Sequence, residues 1–153
     1  MEIALYQPDI APNVGTLIRL GACMGAPIHI IEPCGFPFGT KDLRRAVMDY
    51  AQIAEITRHS SWEVFCAATQ HQRHVLLTTK SAIAYTDFAF NADDILLLGR
   101  ESAGVPDEVH QSCAGKVTIP MQNEARSINV ALAASMVLGE ALRQTDAFPT
   151  QAF

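Results

Sequence analysis

Residues 119–143 read IPMQNEARSINVALAASMVLGEALR. The end of an apolar strand runs into a polar loop at 122–126, and the small and aliphatic residues that follow predict a helix that opens at Ser127. Because this helix is apolar on nearly every side, we expect it to be buried against its own sheet and against a second copy of the chain. The polar loop has the character of a ligand-binding edge, since a helix N-terminus offers free N–H groups.

The composition is that of one globular domain. The chain has 153 residues, of which 49% are hydrophobic and 18% are charged, enough for a sizeable core. We expect a single domain over residues 1–153, with 144–153 as a frayed tail. The sequence shows neither a basic leader nor an apolar run of membrane-spanning length, which predicts a cytoplasmic protein without a membrane partner. Its four cysteines lack paired spacing, which favours reduced thiols over a zinc or redox site.

The charge balance limits the possible partners. The net charge is −5 and the calculated pI is about 5.4, which disfavours a general nucleic-acid coat protein. A localised basic patch remains possible, because several basic residues fall within the first 60 positions. They are Arg19, Lys41, Arg44, Arg45, Arg58 and His59.

Strand and helix patterns alternate along the chain. Strands are predicted at 3–6, 28–31, 52–58, 74–78, 94–98 and 116–119, and helices at 12–25, 41–48, 60–71, 106–113 and 127–143. Ser60 and Glu63 form a capping-box pattern at the start of the third helix. Apolar strands separated by helices predict an open α/β domain, in which a mainly parallel sheet is covered by helices on both faces.

Ligands of such sheets bind beyond the carboxyl ends of the strands. The loops at that edge are 7–13, 33–40, 79–85, 99–106 and 120–126, and nearly every unusual residue of the chain lies in one of them. We therefore expect the functional site among these loops.

Arg19 is the only charge between Asp9 and His29. It is either an exposed side chain on an amphipathic helix or an anion clamp that uses the bidentate geometry of the guanidinium for phosphate. Asn13 and Gly15 favour the clamp, because a capping amide and a permissive backbone stand where a ligand would approach.

Residues 99–106 read GRESAGVP and follow the strand at 94–98. Gly99 and Gly104 permit a close backbone approach or a positive φ. Glu101 has three open roles: a base, a hydrogen-bond acceptor, or a favourable charge at the next helix start. The first loop holds a single glycine, so an ordinary Rossmann dinucleotide or methyl-donor site is disfavoured, and motifs of a hydrolase or a metal centre are missing from the sequence.

Three segments in this order resemble the SPOUT superfamily of RNA methyltransferases: NVGTLIR at 13–19, LLGRESAGVP at 97–106, and IPM at 119–121 followed by RSIN at 126–129. The chain is similar above all to the minimal members that 2′-O-methylate the wobble nucleotide, a cytidine or modified uridine, in tRNA anticodon loops. Further segments point the same way, namely LYQP at 5–8, IHIIEP at 28–33, LRRA at 43–46, DY at 49–50 and LTTK at 77–80.

The resemblance implies a C-terminal deep trefoil knot and a homodimer joined through the last helix. It also implies S-adenosyl-L-methionine as the methyl donor, S-adenosyl-L-homocysteine as its product, and no metal. Donor contacts are implied for Leu77, Thr78, Gly99, Ile119, Met121 and Ser127. A polar cluster around the reacting ribose is implied for Arg19, Glu101, Ser127 and Asn129, with Arg19 contributed across paired subunits. Arg100 and Gly139 depart from the subfamily, which often has a proline and an aromatic residue there.

Arg19 is often described in this family as the catalytic base. A guanidinium stays protonated in proteins, so we interpret Arg19 as a group that orients the substrate and stabilises charge.

The RNA must be held by the domain itself, because the sequence shows no RNA-binding appendage. We expect a dimer-spanning groove for a tRNA anticodon arm, lined by Lys41, Arg44, Arg45, Arg58, Lys80 and Arg126. Phe36 and Phe38 either stack on a splayed loop base or pack within their loop, and packing is favoured.

Three other interpretations stay open. One is a SPOUT 2′-O-methyltransferase that acts on another tRNA position or on rRNA. Another is a catalytically silent RNA-binding dimer of the same fold, although such a protein need not keep the ribose cluster. The last is a nucleotide-binding regulatory α/β domain, which would bind ATP or NAD instead of the methyl donor.

Overall fold

The computed structural model describes residues 1–37, 50 and 52–150. The strands are β1 (Glu2–Tyr6), β2 (Ile28–Ile31), β3 (Ile56–His59), β4 (His74–Leu77), β5 (Ile95–Leu98) and β6 (Gly115–Val117). The helices are α1 (Ala11–Met24), α2 (Trp62–Ala68), α3 (Asp107–Ser112) and α4 (Val130–Gln144), with a 3₁₀ turn at Tyr85–Asp87. This order confirms the predicted alternation. The helix predicted at 41–48 lies outside the described residues, and none of the helices in the described part is long and apolar enough to cross a membrane.

The described strands form a six-stranded parallel sheet in the order β3-β2-β1-β5-β4-β6. The chain winds outward from β1 in one direction through β2 and β3, and the later strands lie on the other side of β1. The direction of winding therefore changes between β1 and β5, which pair in register from Glu2 opposite Ile95 to Leu5 opposite Leu98. In an open parallel sheet this switch point is where a crevice forms at the carboxyl edge.

Both faces of the sheet are covered, as the apolar strands predict. Ile3 and Leu5 of β1 point to one face, where they join a core that includes residues of α1 and α4. Ala4 and Tyr6 point to the other face, where they pack with Phe65 of α2. Successive residues of a strand face opposite sides, so β1 contributes to both cores at once and is buried throughout its last four residues.

The last helix begins three residues later than predicted, at Val130 rather than Ser127. Asn129 is its N-cap: the side-chain Oδ1 accepts hydrogen bonds from the backbone N–H groups of Ala131 at 2.9 Å and Leu132 at 3.3 Å. These bonds satisfy two N–H groups that a helix start leaves without partners, so the chain before Asn129 stays in the loop. Ser127 is consequently a loop residue.

Burial of α4 is one-sided in the single chain. Ala134, Val137 and Leu138 are buried in the core, whereas the side chains of Leu132 and Met136 are 60% and 42% exposed. The expectation of burial on nearly every side thus holds for the face toward the sheet. The apolar outer face is what a second copy would cover, and that contact stays a prediction.

Two other boundaries were predicted wrongly. Helix α2 begins at Trp62 with Ser61 as its N-cap, whose Oγ accepts from Val64 N at 3.3 Å, so the capping box of Ser60 and Glu63 is not formed. Ser61 holds the extended backbone that an N-cap needs, with φ −158°, and Glu63 remains in the first turn, where its charge is still favourable. The strand predicted at 52–58 is the shorter β3.

Candidate active site at the carboxyl edge of the sheet

A cavity of about 540 Å³ opens at the carboxyl edge of the sheet. Its walls come from the loops that follow β1, β4, β5 and β6 and from the first turn of α4. This is the edge at which the site was expected. All the residues predicted to contact the donor line this cavity, and they are Leu77, Thr78, Gly99, Ile119, Met121 and Ser127.

The loop after β5 depends on its two glycines. A Cβ on Gly99 would lie 2.8 Å from the carbonyl carbon and 2.9 Å from the Cα of Gly104. Cβ atoms in proteins essentially never come this close to another heavy atom. Gly104 itself has φ +67°, in the left-handed region that favours glycine. Arg100 and Gly104 exchange two backbone hydrogen bonds of 2.9 Å, which close the loop upon itself. One glycine therefore serves the close approach and the other the positive φ.

Glu101 stands at the centre of a hydrogen-bond network on the cavity wall. Its Oε1 accepts from the side-chain amide of Asn13 at 3.0 Å, and its Oε2 accepts from the backbone N–H of Asp9 at 2.9 Å. Asn13 Oδ1 in turn accepts from the amide of Asn129 at 3.0 Å. The network joins the loops after β1 and β5 to the cap of α4, so it connects segments that are far apart in sequence.

Asp9 adds a second set of bonds between the first two loops. Its Oδ1 accepts from Arg100 Nη2 at 2.8 Å and Nε at 3.2 Å, while its Oδ2 accepts from the backbone N–H and the hydroxyl of Ser102. The bonds from Ser102 and from the Arg100 guanidinium hold the pKa of the Asp9 carboxyl below its usual value. Arg100, which departs from the subfamily pattern, is thus engaged with Asp9.

Arg19 is the one candidate catalytic residue that does not line the cavity of its own chain. It lies on the exposed side of α1, and its guanidinium carbon is 4.8 Å from the centre of the Tyr50 ring. Glu101, Ser127 and Asn129 all line the cavity. Three of the four residues are therefore brought together, and the fourth is elsewhere on the same chain.

Two residues of the described site, Asp9 and His110, were not singled out from the sequence, and Asn13 was singled out only as support for an anion clamp at Arg19. Asp9 and Asn13 organise the network, and His110 of α3 lines the cavity with a buried Nε2 that has no hydrogen-bond partner within the described part of the chain. The loop at 7–13 was expected to matter, but only the strand order shows that it faces the loop after β5. His110 gave no signal, because a lone histidine on a short helix has no distinctive spacing.

The predicted RNA contacts are spread more widely. Lys80 is exposed and lines the rim of the cavity, and Arg126 is exposed in the loop before α4. Arg58 lies on β3, the outermost strand on the side of the sheet away from β6. It is bonded to Glu32, with Nε 2.7 Å from Oε1. Lys41, Arg44, Arg45 and Phe38 lie outside the described residues. The groove stays a prediction.

A metal centre has no support in the described residues, where no group of three or more His, Cys, Asp or Glu side chains is placed to hold an ion.

Residues 1–139 match the SpoU rRNA Methylase family. The chain belongs to this family. Its relatives include the tRNA (cytidine(34)-2′-O)-methyltransferase of Ancylobacter novellus, which is 53% identical over 150 residues, 97% of this chain and 95% of that protein.

Solved structures agree with the fold of this SpoU family member. One, on the 2-OH methylation of C/U34 on tRNA, is 34% identical with a TM-score of 0.89 and covers 94% of both chains. Another, the AdoMet-bound rRNA methyltransferase of Sinorhizobium meliloti, is 27% identical with a TM-score of 0.83 and covers 93% of this chain and 55% of that one. The parallel α/β sheet is therefore shared with methyltransferases of this family.

Proposed function

We propose that this protein transfers a methyl group from S-adenosyl-L-methionine to the ribose 2′-oxygen of the wobble nucleotide, a cytidine or a modified uridine, in tRNA anticodon loops. One observation carries the proposal. All three segments that resemble the superfamily contribute residues to one cavity at the carboxyl edge of the sheet, the first of them through Asn13. They do so in a chain that is 53% identical to a tRNA (cytidine(34)-2′-O)-methyltransferase. The proposed tRNA substrate also supports a cytoplasmic location, which we include in this proposal.

The cavity suits the donor. Its volume of about 540 Å³ lies within the range of about 300–1,000 Å³ that is usual for small-molecule sites. Apolar side chains such as Leu77 and Ile119 line it beside the backbone of Gly99, where a side chain would not fit. When bound, S-adenosyl-L-methionine supplies an electrophilic methyl group on a cationic sulfonium.

Glu101 acts by holding its neighbours rather than as a free base. Each of its carboxylate oxygens already accepts one hydrogen bond, and through Asn13 it fixes the amide of Asn129. We assign to Asn129 and Ser127 the orientation of the ribose at the mouth of the cavity, because both line it, Ser127 in the loop before α4 and Asn129 as the cap of that helix. Holding the reacting groups in line can lower the activation barrier by on the order of 7–11 kcal/mol.

Arg19 completes the site from a second copy of the chain. On its own chain it is absent from the cavity lining, yet α1 packs beside α4, whose outer face is apolar and exposed at Leu132 and Met136. A homodimer that buries this face would carry the partner subunit's Arg19 to the cavity. A cation about 4 Å from the developing alkoxide is worth roughly 4 kcal/mol at an effective dielectric near 20.

The C-terminal segment forms a deep trefoil knot in this proposal. β6 is an edge strand beside β4, whereas α4, which follows it, packs on α1 and β5. The segment between them therefore leads from the side of the sheet back to its middle, and this return supports the threading that we propose. Pulling the two termini apart in a single-molecule experiment tests this, because a knotted chain stops short of the roughly 3.3–3.6 Å per residue of full extension. Full extension would contradict the knot.

The RNA groove follows from charge. Lys80 and Arg126 are exposed beside the cavity, and we add Lys41, Arg44, Arg45 and Arg58 from the sequence. Binding of a tRNA anticodon arm by such a groove weakens steeply as salt rises, because each neutralised phosphate releases counterions. An affinity for tRNA that is insensitive to salt would contradict the groove.

The decisive experiment maps the product. Purified protein, S-adenosyl-L-methionine and tRNA with cytidine at the wobble position should give 2′-O-methylcytidine at nucleotide 34, detected by nuclease digestion and mass spectrometry. The matched control is the same tRNA with 2′-deoxycytidine at that position, which should take no methyl group. Methylation at another tRNA position or only on rRNA would overturn the proposed target, and a wild-type protein that binds no donor would overturn the enzyme.

Arg19→Lys tests the role of the guanidinium. Lysine keeps the charge but loses the bidentate fork, so turnover should fall by most of its value while donor binding measured by calorimetry stays intact. Near-normal turnover would rule out the clamp.

A further inference from the structure

The loop at residues 99–104 lacks the usual means of fixing a loop. It forms one wall of the cavity, yet every residue from Gly99 to Gly104 is exposed or only partly buried. Apolar burial therefore contributes little to its position. The two backbone bonds between Arg100 and Gly104 close the loop upon itself but do not attach it to the rest of the protein. Something outside the loop must anchor it.

Asp9 makes that attachment to three consecutive residues. Its carboxylate accepts from the side chain of Arg100 at 2.8 Å and 3.2 Å and from the backbone N–H of Ser102 at 3.2 Å, as well as from the Ser102 hydroxyl. Its backbone N–H donates to Glu101 at 2.9 Å. A single residue thus uses both side chain and main chain to hold the loop.

The backbone around Asp9 is itself fixed from two sides. The N–H of Gln7 donates to Ile31 O at 2.9 Å, and the N–H of Gly35 donates to Pro8 O at 2.9 Å. Gly35 approaches so closely that a Cβ there would lie 3.0 Å from the Cα of Asp9. Gln7 is held at φ 43°, a left-handed conformation that a non-glycine residue keeps only when its surroundings impose it. Asp9 is therefore a rigid anchor.

We propose that Asp9 is a positioning residue for methyl transfer: it holds residues 100–102 so that the wall formed by Gly99 and the carboxylate of Glu101 are in place before the donor binds. The inference rests on the proposed function, because it takes the cavity to be the donor site. A prefixed wall spares the binding step the cost of ordering the loop. Loss of the anchor should therefore weaken donor binding first.

The experiment compares Asp9→Asn with Glu140→Gln. Both changes neutralise a carboxylate that pairs with arginine, but Glu140 pairs with Arg143 on α4, away from the cavity lining. Affinity for S-adenosyl-L-homocysteine is measured by calorimetry in the absence of RNA. We expect the dissociation constant to rise roughly 5- to 30-fold in Asp9→Asn, the scale of about one charge-assisted hydrogen bond at a partly exposed site. Glu140→Gln should stay within about twofold of wild type.

Two further readouts separate positioning from general damage. Ser102→Ala should weaken donor binding on its own but add little in the Asp9→Asn background, because both changes release the same loop. The affinity for tRNA without donor should not change in any of these variants. Should Asp9→Asn fail to fold, Ser102→Ala and Arg100→Ala provide the same comparison with milder changes.

Three results would overturn the inference: donor affinity in Asp9→Asn within about twofold of wild type, strict additivity with Ser102→Ala, or loss of tRNA affinity with donor binding intact. A wild-type protein that does not bind S-adenosyl-L-homocysteine would instead overturn the proposed function. The two failures are therefore distinguishable.

Discussion

Replacing Asn129 tests whether one amide both caps α4 and holds the cavity wall. Asn129→Ala removes the Oδ1 that accepts from Ala131 and Leu132 and the amide that donates to Asn13. Loss of an N-cap costs about 0.5–2 kcal/mol and loss of one side-chain hydrogen bond about 1 kcal/mol. We therefore expect the free energy of unfolding to fall by about 1.5–3 kcal/mol and Tm to fall by about 3–12 °C.

Asn129→Asp separates the two roles. A carboxylate still accepts from the helix N–H groups and is favourable at a helix start, so the cap should be kept. The free energy of unfolding should therefore fall by only about 1 kcal/mol, the cost of the lost bond to Asn13. It cannot donate to Asn13, and it adds a negative charge to the network of Glu101. Turnover should consequently fall roughly 10- to 100-fold, the scale of about 1.4–2.7 kcal/mol in the barrier.

The assay is urea unfolding followed by the fluorescence of Trp62, the single tryptophan, at one fixed protein concentration. Methyl transfer to tRNA is measured on the same preparations. The reasoning would be refuted if Asn129→Asp kept wild-type turnover, because the donor bond to Asn13 would then have no role. An alanine variant as stable as wild type would refute the cap.

Three further changes have equally definite outcomes. The pKa values of His59 and His74 are lowered, mainly by burial and secondarily by the charge of His29. Below the ordinary histidine pKa of about 6.5, the folded protein therefore binds fewer protons than the unfolded chain, and its stability should fall as the pH drops further. Gly99→Ala puts a Cβ 2.8 Å from the Gly104 carbonyl carbon, so donor affinity should fall at least about tenfold in calorimetry, with secondary structure kept. Leu132→Lys places a charge on the exposed face of α4, so sedimentation should show a monomer and methyl transfer should be lost.

A specific result would contradict each of these three predictions. If the free energy of unfolding did not change between about pH 7 and pH 5, the two histidines would not control the loss of stability in acid. Normal donor binding by Gly99→Ala would mean that the loop yields without cost. A monomeric Leu132→Lys protein with full activity would remove the need for a second copy.

The sheet was predictable from sequence because its signal is local. Apolar runs such as 28–31 and 95–98, each separated from the next by a helix, are enough to predict buried parallel strands, and the carboxyl edge then follows. Strand order is not local. The sequence did not show that β1 lies beside β5. Without that pairing, the hydrogen bonds that the Asp9 carboxylate accepts from Arg100 and Ser102 could not be predicted.

The helix starts were misplaced for a related reason. Ser127 and Ser60 both have capping side chains, but the backbone decides which residue uses one: Asn129 and Ser61 hold the capping conformation, and the helices begin after them. The residues predicted to contact the donor were taken from motif position, and they line one cavity; their contact with the donor stays a prediction. Arg19 was placed in the same cluster by resemblance, but on its own chain it lies on the exposed side of α1, outside the cavity lining.

The most direct measurement is complementation between two inactive variants. Arg19→Ala and Glu101→Ala are coexpressed, the mixed dimer is isolated with two affinity tags, and 2′-O-methylation of cytidine 34 is measured. If Arg19 acts across the dimer, one of the two sites in each mixed dimer is intact, and activity should return to about half of wild type. If both residues act within one chain, each site lacks one of them, and a mixed dimer as inactive as either parent would contradict the account.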